Sequence, residues 1–329
     1  MGTVNIAINR SLESKTTSFN EIPIVDIGPL LDNSEPIKVA DKIGYVCENI
    51  GFLYIKNHGI SKELINEAYT LAEAFFSLPV EEKNKLDIKL SGPTLRGYIP
   101  MYRENVDPGF TRDFKECFDF GLHQDEVSPF HGPNLMPETP LRFKEVFEQY
   151  HAAMLNLSRK LIGAIALSLD LPQDYFEDLQ KNPITIQRLL HYPPQEGEIA
   201  LDEMGIGAHT DYGFLTILSQ DSSGGLQVQN RQGDWIEAPP VEDTFIVNIG
   251  DLVQTFTNDR YISTVHRVIN KSGRERYSIP FFIDLDYEAV VQVVPTCSRA
   301  GAAEKYAPYT SGEHKYKRFV DSYIHLQNQ

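Results

Sequence analysis

From residue 22 to about 180 the apolar positions of the chain switch between two periods. "IPIVDIG" (22–28) sets β-branched residues between Pro23 and Gly28 and predicts a short strand. "PIKVADKIGYVCENI" repeats Ile37, Ala40, Ile43, Cys47 and Ile50 at helical spacing. "GFLYIKNHG" (51–59) reads as a buried strand closed by a turn. "SKELINEAYTLAEAFFSLP" reads as a helix capped by Ser61, with Leu64, Ala68, Leu71 and Phe75 on one face. A long helix ends the region. Thr139 is its expected N-cap, Pro140 its first residue, and Val146, Tyr150, Ala153, Leu157, Leu161, Ala164 and Leu169 its apolar face, up to Pro172. A helix of about 30 residues is roughly 45 Å long, enough to brace a sheet.

The pattern changes after Asn182-Pro183, where a break is expected. "ITIQRLLHYP", "FLTILSQD", "GGLQVQNRQGDWIEAPP", "TFIVNIGDLVQTFTN", "HRVIN", "RYSIPFFIDLD" and "AVVQVVP" are short strand-like runs split by Gly, Asp, Asn and Pro turns. Many short strands in succession predict a sandwich or jelly roll rather than βαβ units. The layout predicted is a loose arm (1–20), a mixed helix and strand region (21–180), a jelly-roll core (181–295) and a polar helical tail (296–329), with 21–329 forming one compact unit. The fold class expected is α+β with a mainly β core.

Composition narrows the function. The 329 residues are 41% hydrophobic and carry a formal net charge of −16. Such a surface repels phosphate backbones, so small molecules are expected as partners and nucleic acid is not. No apolar run reaches the roughly 18 residues of a membrane helix. The three cysteines, Cys47, Cys117 and Cys297, make no metal or disulfide framework, which fits a reducing cytoplasm. Neither GxGxxG after a strand nor GxxxxGK[ST] occurs, so nucleotide binding has no support.

Candidate chemistry sits in "GAHTDYGFLTIL" (207–218). Alternation along a strand would send His209 and Asp211 to one face. H-x-D by itself also suits a catalytic dyad or a solvated turn. "TNDRYISTVHRVIN" adds His266, and two imidazoles with one carboxylate make the facial set of non-haem iron(II) oxygenases, leaving positions open for oxygen and substrate. Ten residues on, Arg276 and Ser278 of "RYS" share a strand face. A guanidinium and a hydroxyl make a directional carboxylate clamp. His58, His123, His131, His151, His191, His314 and His325 are expected to be packing or surface residues.

These motifs resemble the 2-oxoglutarate-dependent iron(II) dioxygenases, within them the isopenicillin N synthase-like group. The likeness spans nearly the whole chain, from "IPIVDIGPLL" and "IGFLYIKNHGIS" through "RGYIP" and "DFKECFDFG" to "VNIGDLVQTFTNDRYISTVHRV" and "RYSIPFFI". The resemblance implies a double-stranded β-helix with flanking helices. It implies Fe(II) held by His209, Asp211 and His266, and 2-oxoglutarate held by Arg276, Ser278 and Tyr192, with O2 as the other co-substrate and ascorbate as a reductant. Where relatives read N-Y-Y-P this chain has Leu190, His191, Tyr192 and Pro193, and Gln195 replaces a frequent cysteine. Phe282, Tyr98 and Phe118 match aromatic residues that line substrate pockets.

The activity implied is oxidative decarboxylation of 2-oxoglutarate coupled to hydroxylation, desaturation or ring closure of a small, largely apolar secondary metabolite. An iron oxidase of the same fold that uses no 2-oxoglutarate, either isopenicillin N synthase-like or ascorbate-dependent, is the alternative. Leu95 and Ile99 stand where the true synthase grips its tripeptide with an arginine and a tyrosine. A metal-binding jelly roll without catalysis would explain the triad but not the clamp.

Overall fold

A computed structural model describes residues 11–15, 22–107, 109–195, 197, 199–200, 202–298, 304–323 and 326. Most of the expected arm, and the terminal "HLQNQ" apart from Leu326, lie outside the described residues.

Twelve strands build the scaffold: β1 (Ile24–Asp26), β2 (Phe52–Lys56), β3 (Gly97–Ile99), β4 (Glu116–Phe120), β5 (Pro183–Tyr192), β6 (Ile206–His209), β7 (Leu215–Gln220), β8 (Leu226–Gln229), β9 (Trp235–Glu237), β10 (Thr244–Ile249), β11 (His266–Val268) and β12 (Arg276–Asp286). Eight form a large sheet in the order β1-β2-β10-β7-β12-β5-β4-β3, and four form a small sheet in the order β9-β8-β11-β6. Apart from the parallel β1–β2 pair, the register is antiparallel throughout both sheets. The jelly-roll reading of the second half holds, and the large sheet also recruits four strands from the first 120 residues.

Alternation assigns the two faces of the large sheet. Leu53, Ile55, Phe118, Phe120, Leu189, Leu215, Ile217, Phe281 and Ile283 point outward. There they pack with helices α1 (Pro36–Asn49), α2 (Lys62–Phe76) and α3 (Phe143–Ser168). Phe52, Tyr54, Ile186, Leu190, Tyr192 and Ile246 point inward, against Ile206, Leu226, Val228 and Val268 of the small sheet. Ser61 caps α2 by accepting from the Leu64 N–H at 3.2 Å. A last helix, α4 (Ser311–Ser322), starts at Thr310, whose hydroxyl accepts from the Glu313 N–H, and packs on β12.

The long helix starts later than expected. Its N-cap is Arg142, in the left-handed region at φ 66°, and it runs for 26 residues from Phe143. Thr139 and Pro140 belong to the preceding turn, so the pattern of a capping residue followed by proline misplaced the start. Among the described residues no helix is long and apolar enough to cross a membrane.

Candidate metal and co-substrate site

The site occupies the space between the two sheets. His209 ends β6 and His266 begins β11, and the two are directly paired across the small sheet. Their rings are 4.3 Å apart. Asp211 is not on a strand, contrary to the alternation expected for H-x-D. It lies in the turn leading to β7, and its carbonyl accepts from the Asp251 N–H at 2.9 Å. Gly213 makes that turn possible, because a Cβ there would lie 1.8 Å from Asp284 Oδ1.

Each ligand-type side chain has one atom tied down and one left free. His209 Nδ1 donates to the Gly207 carbonyl at 2.8 Å, and His266 Nδ1 donates to the Thr264 carbonyl at 3.1 Å. Both contacts fix the tautomer whose Nε2 carries the lone pair. Asp211 Oδ2 accepts from Thr216 Oγ1 and from Asn248 Nδ2, both at 2.6 Å. Its Oδ1 faces the two Nε2 atoms at 3.8 and 3.7 Å. One donor atom from each of the three residues lies within 4.8 Å of the others. Phe52 sets its ring edgewise to His266 at 5.1 Å.

The electrostatics suit a cation. Burial, then the adjacent His266, push the His209 imidazole down toward the neutral form a metal ligand requires. Burial raises the Asp211 carboxyl, but the two imidazoles and the Thr216 and Asn248 hydrogen bonds outweigh it and keep the group below the usual carboxylate range.

Arg276 and Ser278 open β12, facing inward, and are 0% and 1% exposed. Arg276 Nε donates to the Gly224 carbonyl at 2.6 Å, and Nη1 donates to Ser278 Oγ at 3.3 Å. Its guanidinium lies 4.5 Å from the centre of the Tyr192 ring, its register partner on β5. The remaining nitrogen, Nη2, is buried with no partner. An orphaned donor on a fully buried cation is costly unless an acceptor arrives, and one carboxylate oxygen would satisfy it.

Matches to known families cover most of the chain. Residues 22–139 match the N-terminal family described as non-haem dioxygenase in morphine synthesis, and residues 183–285 match the 2OG-Fe(II) oxygenase superfamily. This chain belongs to that superfamily. It is 36% identical to the 2-oxoglutarate-Fe(II) type oxidoreductase hxnY of Emericella nidulans, across 92% of this chain and 90% of that protein. It is 35% identical to a homoarginine-6-hydroxylase of Oryza sativa subsp. japonica, across 94% and 99%. A full-length Neurospora crassa protein, crystallised in complex with alpha-KG and thymine, superposes with a TM-score of 0.83 at 30% identity, covering 91% of this chain and 96% of that one. As a member, the chain is an iron(II)- and 2-oxoglutarate-dependent dioxygenase.

The substrate side of this oxygenase differs in part from the sequence reading. Phe282 faces inward, half-buried, with the Arg188 guanidinium 5.9 Å from its ring centre. Tyr98 and Phe118 do not line that space. They are register partners on the outward face of the large sheet. Phe118 packs 4.9 Å from Phe75 of α2 and 5.6 Å from Phe143 of α3, and the Tyr98 hydroxyl donates to Glu116. The phase of alternation on β4 decides this: Cys117 and Asp119 turn inward, and Phe118 turns outward. His191 and His314 are half-buried and each meets acids that their sequence neighbours do not supply. His191 lies between Glu116 at 2.7 Å and Glu275 at 2.5 Å, and His314 Nε2 lies 3.7 Å from Asp251. These acids come from other elements, so local spacing could not reveal them.

Two features of the interior were missed. Arg188, Glu104, Asp119, Lys115 and Asp113 form a buried network. Arg188 bonds both oxygens of Asp119 at 2.7 Å, both of Glu104 at 2.9 Å, and the Tyr323 hydroxyl at 2.7 Å. Lys115 reaches Asp113 at 2.9 Å and Glu104 at 3.2 Å. The second feature is Tyr212, the residue after Asp211. The Arg318 guanidinium of α4 lies 4.3 Å from the centre of its ring.

Proposed function

We propose that His209, Asp211 and His266 hold iron(II), that Arg276 and Ser278 hold the far carboxylate of 2-oxoglutarate with Tyr192 also reaching that co-substrate, and that Phe282 lines the pocket of a secondary-metabolite substrate. Iron(II) there, with 2-oxoglutarate and oxygen, supplies oxidation of an unactivated C–H bond with release of succinate and carbon dioxide. The protein's own part is positional. The Gly207 and Thr264 carbonyls aim the imidazoles, and Thr216 and Asn248 leave one Asp211 oxygen free. Phe52 packs edgewise on His266 and helps hold its ring in place. The observation that carries the co-substrate assignment is the partnerless Nη2 of Arg276. A substrate with an apolar body agrees with Phe282 packing against the inner apolar cluster, with Ile186 as its register partner. In a succinate-release assay, Arg276→Ala is expected to raise the KM for 2-oxoglutarate at least tenfold while bound iron stays stoichiometric. That corresponds to loss of a charge-assisted hydrogen bond of about 1.5–3 kcal/mol. An unchanged KM would favour an iron oxidase that uses no 2-oxoglutarate.

A further inference from the structure

Most cations inside the fold are spoken for. Lys115 and Arg188 are neutralised by Asp113, Glu104 and Asp119. Lys315 is held by Asp284. Arg96 spends its guanidinium on the Phe130, Leu122 and Gly132 carbonyls and on Asn134. Arg276 keeps one free nitrogen, already assigned to the co-substrate. Arg318 is different. Among the described residues it makes no ion pair, and its Nε is buried with no hydrogen-bond partner.

Arg318 is also well placed. Lys315, Arg318 and Ser322 fall on one side of α4, at the three- and four-residue spacing that aligns side chains on a helix. Lys315 reaches the inward Asp284 of β12, and Ser322 Oγ lies 2.9 Å from the Tyr212 hydroxyl. Arg318 lies against the face of the Tyr212 ring between them. Tyr212 directly follows the metal ligand Asp211 and packs in the same apolar cluster as Phe282. The Arg276 clamp opens β12, whereas Phe282 and Asp284 lie further along that strand, and Asp284 meets both the turn after Tyr212 and Lys315 of α4. Two guanidinium groups therefore carry a buried nitrogen without a partner, Arg276 against Tyr192 and Arg318 against Tyr212.

We propose that Arg318 binds a carboxylate of the primary substrate, so that this oxygenase acts on small organic acids with an apolar body. The assignment rests on the iron and 2-oxoglutarate reading for its location. Its chemistry is a charge-assisted, directional contact made by a guanidinium already oriented by the Tyr212 face. The apolar part of the acid would then lie along Tyr212 and Phe282, toward the metal.

The test uses the full-length protein loaded with iron(II) and 2-oxoglutarate. Benzoic, phenylacetic, indole-3-acetic and cyclohexanecarboxylic acids are each compared with their methyl esters. Binding is measured by ligand-observed NMR, and succinate release is measured in parallel. At least one acid is expected to bind tenfold or more tightly than its ester. Arg318→Gln should reduce that acid-to-ester ratio to about one, Arg318→Lys should keep part of it, and Arg318→Glu should reverse it. Circular dichroism and the affinity for 2-oxoglutarate check that each variant is folded and loaded. Esters binding as well as acids, no acid binding at all, or an acid preference that survives in Arg318→Gln would each overturn the proposal. A wild-type protein that releases no succinate from 2-oxoglutarate would instead overturn the underlying functional reading. The acid-to-ester binding ratio would still judge Arg318.

Discussion

Two charged clusters lie within the same jelly roll, and they differ in what they leave undone. In the Arg188 network every charge meets its opposite, and Arg188 alone makes five hydrogen bonds to Asp119, Glu104 and Tyr323. In the His209–Asp211–His266 cluster and at Arg276, each group is held by part of its polar atoms and leaves one open. Both places are largely buried, with His209 the one member of the two that is partly exposed. Unfilled valence is what separates a site from a brace, because a closed network has nothing left to offer a ligand.

The contrast can be broken most forcefully at His266. His266→Ala should lose at least an order of magnitude in iron affinity and all turnover, with the chemical-denaturation midpoint of the metal-free protein little changed. Iron titration beside a denaturation curve checks both halves; normal iron binding in that variant would mean the triad is misassigned. Glu104→Ala should do the reverse. Arg188 keeps Asp119 and Lys115 keeps Asp113, but two charge-assisted bonds to Arg188 and one ion pair to Lys115 are lost, at a cost of about 3 kcal/mol in unfolding free energy. Iron should still bind, and a variant that unfolds like wild type would show the network to be ornamental. Thr216→Val is the finest probe. It removes one hydrogen bond to Asp211 while keeping the side-chain shape, and iron affinity should fall about tenfold. Calorimetric titration would detect this, and no change would mean that Asn248 alone orients the carboxylate.

Much of the open cluster was legible from the chain because its residues sit in short, ordered motifs. H-x-D, the later histidine and R-x-S follow one another in that order along the chain, and "RYSIPFFIDLD" coincides with β12 as it stands. The closed network was not legible, because its members are brought together only by tertiary packing: Arg188 and Tyr323 are 135 positions apart. Arg318 was hidden for the same reason, since nothing in "KRFVDS" signals that a ring from the Asp211 turn lies beneath it. Tyr98 and Phe118 were misread because an aromatic strand residue gives no clue to the phase of its strand. In a two-layer sheet, being one position out exchanges the pocket for the helical core.

The pairing of His209 with His266 has a mechanical consequence. Both histidines belong to the small sheet, whereas Asp211 is anchored through Thr216 and Asn248 to strands of the large one. An ion gripped by all three is a rivet through both walls of the sandwich. Its binding free energy then includes the work of holding the walls together, so stiffness of the small sheet and retention of the metal rise and fall as one quantity.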